Sequence, residues 1–200
     1  MLFSPMQKLL VATGNSHKTE EIRAILGEAY EISDLKAYPE LPKVEETGTT
    51  FLENATLKAV EISCSVPGLV LSDDSGLEVD ALDGAPGVYS ARYAGEEGND
   101  ALNNQKLLRE LQDTALSERN ARFRCVIVLA ENGKALAHFD GSVEGHIIKE
   151  KQGSGGFGYD PLFVPEGYDS SFAELGETIK NSLSHRARAM AQVKSWLENN

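Results

Sequence analysis

The chain has 200 residues, of which 41% are hydrophobic, enough for one compact domain whose core needs no covalent staples. Its formal net charge of −12 argues against nucleic acid as a partner, because neutralising a phosphate backbone takes a basic face, yet it leaves room for a nucleotide held in a local cationic pocket. No apolar run approaches the roughly 20 residues that span a bilayer, which argues against a membrane helix.

Residues 1–5 are expected to form a short amino-terminal extension, too short and too uncharged for a signal peptide, ahead of a single domain over 6–200. Leu9-Leu10-Val11-Ala12 reads as a strand that breaks at Thr13-Gly14-Asn15. A helix follows, with Ile22, Ile25 and Leu26 at three- and four-residue spacing and Gly27 at its stop. Such a turn aims backbone N–H groups and the positive end of a helix dipole at one point, and Lys18 adds a charge one turn in. The ligand expected there is a phosphate, although the spacing is not that of a P-loop. An ordinary strand-to-helix loop with an exposed lysine is the plain alternative.

A second strand is expected near Tyr30–Asp34, then a proline-containing connection over Tyr38–Lys43. Glu45-Glu46 precedes Thr47-Gly48-Thr49-Thr50, which opens a helix with Phe51, Ala55, Ala59 and Ile62 on its buried face. Two cysteines, Cys64 and Cys125, form no Cys-x-x-Cys pair and read as buried thiols in a reducing, cytoplasmic compartment, with a 64–125 disulfide as the alternative. Leu69-Val70-Leu71 reads as a short buried strand with Asp73-Asp74-Ser75-Gly76 at its carboxyl end, where open α/β sheets bind ligands. Adjacent aspartates in extended backbone point to opposite sides. One can then hold a metal while the other orients a lysine or a water. With Glu45-Glu46 they suit Mg²⁺, which keeps several waters and takes its remaining ligands from carboxylates and phosphates. Turn and capping roles are the alternative for both acidic pairs.

A glycine- and proline-punctuated loop over Asp83–Gly98 leads to a helix around Asp100–Leu111. Arg122–Glu131, Asn132-Gly133 and Lys134–Gly141 carry the strongest hairpin signal in the chain, and a separate strand is expected near Val143–Lys149. The glycine-rich loop Gly153–Pro161 holds Phe157 and Tyr159, offering close backbone approach to a ligand and an aromatic face for a base. Leu162-Phe163-Val164 is another strand. A final helix over Leu183–Glu198 presents Ala187, Met190, Ala191, Val193, Trp196 and Leu197 as its apolar positions. Ser184-His185-Arg186 opens it with donors apt for a purine keto oxygen, helix-surface charge behind a capping serine being the alternative. A covalent hydrolase is disfavoured, because there is no Gly-x-Ser-x-Gly elbow and neither cysteine sits in a nucleophile motif. Helices alternating with strands, plus one hairpin, predict an α/β fold on a mixed sheet.

Several of these segments occur together and in order over nearly the whole chain: Thr13-Gly14-Asn15-x-x-Lys18, Glu45-Glu46-Thr47-Gly48-x-Thr50-Phe51-x-Glu53-Asn54-Ala55, Leu57-Lys58-Ala59 and Asp73-Asp74-Ser75-Gly76-Leu77. They continue through Gly84-Ala85-Pro86-Gly87-x-Tyr89-Ser90-Ala91-Arg92-Tyr93, Gly155-Gly156-Phe157-Gly158-Tyr159-Asp160-Pro161 and Ser184-His185-Arg186. As a set they resemble the inosine triphosphate pyrophosphatase family, which removes non-standard purine nucleoside triphosphates. The resemblance implies an elongated two-lobed α/β fold with a long mixed sheet flanked by helices, a central substrate cleft and a homodimer. It implies Mg²⁺-dependent hydrolysis of ITP, dITP or XTP to the nucleoside monophosphate and pyrophosphate. Carried onto this chain, Thr13, Gly14, Asn15, Ser16, His17 and Lys18 would hold the triphosphate, and Lys58 would add positive charge. Glu45 and Asp74 would bind the metal, with Glu46 and Asp73 as neighbouring alternates, and Asp74 would also be the general base. A divalent ion makes the attacking water easier to deprotonate, so ligand and base can share one site. Ser75, Phe157, Gly158, Tyr159, Asp160, Lys180, His185 and Arg186 would bind the nucleotide, with Phe157 stacked on the base and His185 and Arg186 reading its 6-keto group. The rival readings are a pyrophosphatase for pyrimidine or methylated nucleotides and a nucleotide sensor without turnover.

Overall fold

The computed structural model describes residues 7–200, so the expected extension over residues 1–5 lies outside the described residues. Six strands form one sheet: β1 (Gln7–Val11), β2 (Tyr30–Asp34), β3 (Leu69–Val79), β4 (Asn120–Glu131), β5 (Lys134–Ile147) and β6 (Phe163–Pro165), in the order β2-β1-β3-β4-β5-β6. β1 runs parallel to both β2 and β3, with Val11 opposite Asp34 and Leu71, whereas β5 and β6 are antiparallel. The sheet is therefore mixed. Among the described residues five α-helices accompany it: α1 (Ser16–Leu26), α2 (Phe51–Ser63), α3 (Asp100–Glu110), α4 (Phe172–Leu183) and α5 (His185–Asn199). Among the described residues no helix is long and apolar enough to cross a membrane.

The chain divides into two compact units. One comprises the chain up to Asp74 with Val126–Asp140 and Ala189–Asn200; the other comprises Ser75–Cys125 and Gly141–Arg188. In the first, Leu10, Ala12, Ile62 and Val70 form a core onto which Leu35, Tyr38, Leu41, Val44 and Val66 pack. In the second, Phe123, Phe163 and Phe172 interlock, with ring centroids 4.8 Å apart for Phe123–Phe163 and 5.4 Å for Phe163–Phe172, among Leu77, Val79, Leu107 and Ile147. Rings at these separations add edge and stacking attraction to their burial.

Local chemistry accounts for most boundaries. Asn15 caps α1 and Gly27, at φ +67, ends it. Thr50 and Glu53 make a reciprocal capping box at the start of α2, whose Phe51, Ala55, Ala59 and Ile62 are buried as the spacing predicts. At the β4–β5 hairpin, Asn132 (φ 51) and Gly133 (φ 75) both take the left-handed conformation that a two-residue turn with the right twist requires.

Four expectations are corrected. Asp73-Asp74-Ser75-Gly76 does not end a short strand; β3 continues through it for 11 residues, because pairing and lysine partners override local turn preference. Lys134–Gly141 and Val143–Lys149 are not two strands but the single β5, whose backbone stays in the strand through Gly141-Ser142 and ends at Ile147. The segment Phe172–Leu183, left without an element by apolar periodicity, is α4. Its signal was the capping box Ser171-x-x-Glu174, and Ser184, back in extended conformation, separates α4 from α5. Cys64 is exposed rather than buried, while Cys125 is buried as expected, and no disulfide joins them. On α5 the buried positions include Ala187, Ala189, Met190 and Val193, with Ala191 facing outward.

Candidate active site

The order β2-β1-β3 puts a switch of winding direction at β1, and ligands of open α/β sheets sit beyond the carboxyl ends of strands at such points. The turn after β1 is organised by its own side chains. Asn15 N–H donates to Thr13 Oγ1 at 3.1 Å, and Asn15 Oδ1 accepts from the N–H groups of His17 at 3.0 Å and Lys18 at 3.5 Å. Two N–H groups expected to face an anion are thus turned to Asn15. Gly14 borders open space, for a Cβ there would meet nothing within 4 Å. Lys36 donates to the Ser16 hydroxyl, bringing to this turn a cation that motif reading missed. The only signal was register: Val11 pairs with Asp34, so residues just past β2 fall beside those just past β1.

Two lysines and three carboxylates knit β3 to its surroundings. Lys18 Nζ lies 2.6 Å from Asp73 Oδ1 and donates to the Asp73 carbonyl at 3.3 Å. Lys58, from α2, donates to the same carbonyl at 3.2 Å, to Asp74 Oδ1 at 3.1 Å and to Glu46 Oε1 at 2.6 Å. The backbone explains the convergence. The Leu71 carbonyl accepts from Ala12 N–H at 2.7 Å, and carbonyls two residues apart on a strand point the same way. The Asp73 carbonyl therefore points past the last residue of β1, and ammonium groups satisfy it in place of a neighbouring strand. As the extended backbone predicts, Asp73 and Asp74 serve different lysines.

Burial pushes the Asp74 carboxyl above the ordinary aspartate value, against the pull of Lys58 and Lys18. Burial opposes the Lys58 charge as well, but Asp74 and Glu46 outweigh it and hold the ammonium above the ordinary lysine value. Glu46 reaches this knot because its strap lies flat on the start of α2: Gly48 N–H donates to Asn54 Oδ1 at 2.8 Å, and a Cβ on Gly48 would come within 2.6 Å of the Glu53 Cβ. Glu45 is exposed.

The donor set suits a small hard cation. Asp74 Oδ2 is buried without a hydrogen-bond partner, an atom with acceptor capacity left over, and Glu46 shares Lys58 with it. Mg²⁺ needs only one or two protein carboxylates when phosphates and water supply the rest. Among the described residues no three His, Cys, Asp or Glu side chains form an all-protein cage.

A second group of side chains surrounds Phe157. Lys180 Nζ sits 4.3 Å from the ring centroid and the Arg186 guanidinium 5.9 Å from it, both within cation–π range. Lys180 is buried on α4 and paired with Asp160 at 2.6 Å, and Asp160 also accepts from Phe157 N–H at 2.9 Å. Arg186, 1% exposed, donates to Ser75 Oγ at 2.9 Å, and His185 stacks on Phe123 at 4.9 Å. Tyr159 turns inward: its ring joins the core and its hydroxyl donates to the Ser90 carbonyl at 2.9 Å. The loop glycines serve packing more than ligand approach. A Cβ on Gly153 or Gly155 would strike Ala173 of α4 at 2.7 or 2.8 Å, and one on Gly156 would strike the Asp160 carboxylate. Gly158, at φ +62, borders open space.

The sequence-expected residues thus fall into a lysine–carboxylate knot (Lys18, Lys58, Asp73, Asp74, Glu46) and an aromatic–cation group (Phe157, Lys180, Arg186, with Asp160 and Ser75). The model of the Ham1 family matches residues 9–196. A dITP/XTP pyrophosphatase of Halalkalibacterium halodurans is 49% identical over 96% of this chain and 100% of its own length, and that of Geobacter sulfurreducens is 49% identical over 96% and 97%. Among solved structures, a HAM1 protein from Coxiella burnetii superposes with a TM-score of 0.87 at 39% identity, covering 98% of this chain and 100% of its own. The Staphylococcus aureus Ham1 protein does so with 0.85 at 39% identity, covering 96% and 99%. With the family model matching residues 9–196 and a curated relative 49% identical along its full length, this chain belongs to the Ham1 family.

Proposed function

We propose that this chain hydrolyses the triphosphates of non-standard purine nucleosides, ITP, dITP and XTP, to the nucleoside monophosphate and pyrophosphate, clearing deaminated purines from the nucleotide pool. The observation that carries the reading is the buried Lys58 held between Glu46 and Asp74, with Asp74 Oδ2 still open. A protein that only bound a nucleotide would gain nothing from a buried carboxylate that meets a lysine through one oxygen and keeps the other unpartnered.

In this reading the turn Thr13–Lys18, with Lys36, takes the phosphate chain. Asp74 and Glu46, or the exposed Glu45 after a shift of its strap, would hold Mg²⁺. When bound, the ion would neutralise phosphate charge and ease deprotonation of the attacking water. One water is consumed: its proton passes to Asp74 as general base, and the phosphoanhydride between the α- and β-phosphates breaks. Lys18 and Lys58 meet the charge that accumulates on the departing pyrophosphate.

Phe157 offers a ring face to the base, and Lys180, His185 and Arg186 supply donors. Hypoxanthine and xanthine present an acceptor at the 6-position, whereas adenine presents a donor. Facing donor with donor leaves buried groups unpaired at about 1–3 kcal/mol, roughly ten- to a hundredfold in discrimination. A homodimer and a cytoplasmic location belong to the same reading, on the strength of the family resemblance.

The test is incubation with Mg²⁺ and ITP, XTP, dITP, GTP or ATP, followed by identification of the products. Pyrophosphate from ITP, dITP and XTP with little from GTP or ATP is the expected result. Orthophosphate would mean that a different bond is cut, and activity confined to pyrimidine or methylated nucleotides would replace the substrate class.

A further inference from the structure

We propose that Asp100 and Asn104, on α3, are positioning residues that set the Phe157 ring for base recognition; the proposal rests on the reading that Phe157 stacks on the base. The helix α3 is unusual in what it buries. Its adjacent asparagines, Asn103 and Asn104, are each only 2% exposed, although asparagine side chains are normally solvated. Both are used as ties. Asn103 Oδ1 accepts from Ala94 N–H at 2.8 Å while its Nδ2 donates to the Ala91 carbonyl at 3.1 Å, fastening the segment before α3. Asn104 Nδ2 donates to the Gly158 carbonyl at 2.7 Å and to the Asp100 carbonyl at 2.7 Å. Asp100 Oδ2, one helical turn earlier, accepts from Gly158 N–H at 2.6 Å.

The peptide groups around Phe157 are thereby fully engaged. Phe157 N–H donates to Asp160 Oδ2 at 2.9 Å and its carbonyl accepts from Asp160 N–H at 3.2 Å. Both polar groups of Gly158 go to α3. Two of the four bonds are internal to the loop and two come from the helix, so the helix decides which way the loop's tip faces. Neither Asp100 nor Asn104 is among the side chains gathered around Phe157; they act through the backbone next to it. The Asn104 amide also leaves its Oδ1 buried without a partner, and turning the amide over would give up both donated bonds. Its orientation is therefore fixed by Gly158 and Asp100. Gly158 itself sits at φ +62, a conformation that glycine enters and leaves freely, so the backbone at Gly158 does not hold the arrangement once the ties are cut.

The experiment compares wild type with Asp100→Ala, Asp100→Asn and Asn104→Ala. Steady-state kinetics with ITP and Mg²⁺, inhibition by inorganic tripolyphosphate and amide hydrogen exchange at Phe157 and Gly158 are read for each. Misplacing a substrate-contacting group by about an ångström can lower reactivity by up to about a hundredfold. We expect Asp100→Ala to raise KM for ITP by about tenfold with kcat within about twofold, and to narrow the ITP-over-ATP preference. Tripolyphosphate, which carries no base, should inhibit with unchanged strength, and the Gly158 amide should exchange faster. Asp100→Asn keeps an oxygen acceptor and should recover most of the KM. Asn104→Ala must show the same split, and it carries the test should Asp100→Ala not fold. Faster exchange at Gly158 with unchanged KM and unchanged selectivity overturns the proposal, as does a parallel fall of kcat and tripolyphosphate binding. If wild type hydrolyses no ITP, the proposed activity is what fails. Equilibrium binding of ITP then reads the same contrast, and equal affinity in all four proteins overturns the positioning role.

Discussion

The lysine–carboxylate knot and the Phe157 group solve the same problem, keeping cations in place, by different means. In the knot, Lys18 and Lys58 are partly accessible and lean on carboxylates and one strand carbonyl, so a phosphate ligand can compete for them. Around Phe157, Lys180 and Arg186 are almost fully buried, fixed by Asp160, Ser75 and the ring itself. The knot holds its cations partly accessible among carboxylates, whereas the Phe157 group holds them buried against an aromatic ring. In the proposed function the first would serve the reacting phosphates and the second recognition.

The largest effect should come from breaking the reactive side. Asp74→Asn keeps the shape but removes the proposed base, and should lower kcat by about 10²–10⁴-fold while ITP binding stays measurable by calorimetry. Turnover within a factor of a few of wild type would move the base elsewhere, and binding without turnover in the wild type itself would favour the sensor. On the Phe157 side the expected effect is on stability. Asp160→Ala strands Lys180, whose side chain is 4% exposed, and should cost about 3–5 kcal/mol in denaturant unfolding. A double variant, Asp160→Ala with Lys180→Met, should regain much of that loss, because what destabilises is the unpaired buried charge. A loss in the single variant below about 1 kcal/mol would mean that the Phe157 ring alone supports the ammonium.

How much of this was legible beforehand follows the same contrast. The knot is built from residues that announce themselves: a glycine turn after an apolar strand, adjacent aspartates, and a lysine on the helix whose capping sequence is plain. Their mutual partners were not legible, because Lys18 and Asp73 are 55 residues apart and meet only through the parallel β1–β3 register. The parallel β1–β2 register likewise hid Lys36. The choice between Glu45 and Glu46 depends on how their strap lies on Asn54, which no spacing rule reveals. In the second group, Phe157, His185 and Arg186 stood out by residue type, yet their supports did not. Asn103-Asn104 reads as a solvated helix surface, and Gly153, Gly155 and Gly156 read as ligand-facing when they are pressed against α4 and Asp160. Buried polar ties are invisible to hydrophobic periodicity because they occupy positions that periodicity assigns to water.

The smallest expected effect sharpens the comparison at the strap that brings Glu46 to Lys58. The Glu53 carboxylate accepts from Thr49 N–H at 2.7 Å, from the Thr49 hydroxyl at 3.0 Å and from Thr50 N–H at 3.2 Å. These bonds, the Thr49 backbone first among them, hold its carboxyl below the usual glutamate value. A group whose folded-state pKa is depressed stabilises the fold above its unfolded pKa, about 4.3 for glutamate, and that contribution fades as pH falls through the lower folded value. Glu53→Gln should therefore have a shallower acid limb in a plot of Tm against pH, with the two proteins converging under strong acid and separating towards neutrality. Because Glu53 is solvated the separation should be small, and it should be accompanied by weaker Mg²⁺ activation if the strap sets Glu46. Parallel acid limbs would show that the carboxylate does not titrate with the fold, and that Gly48 and Asn54 alone fix the strap.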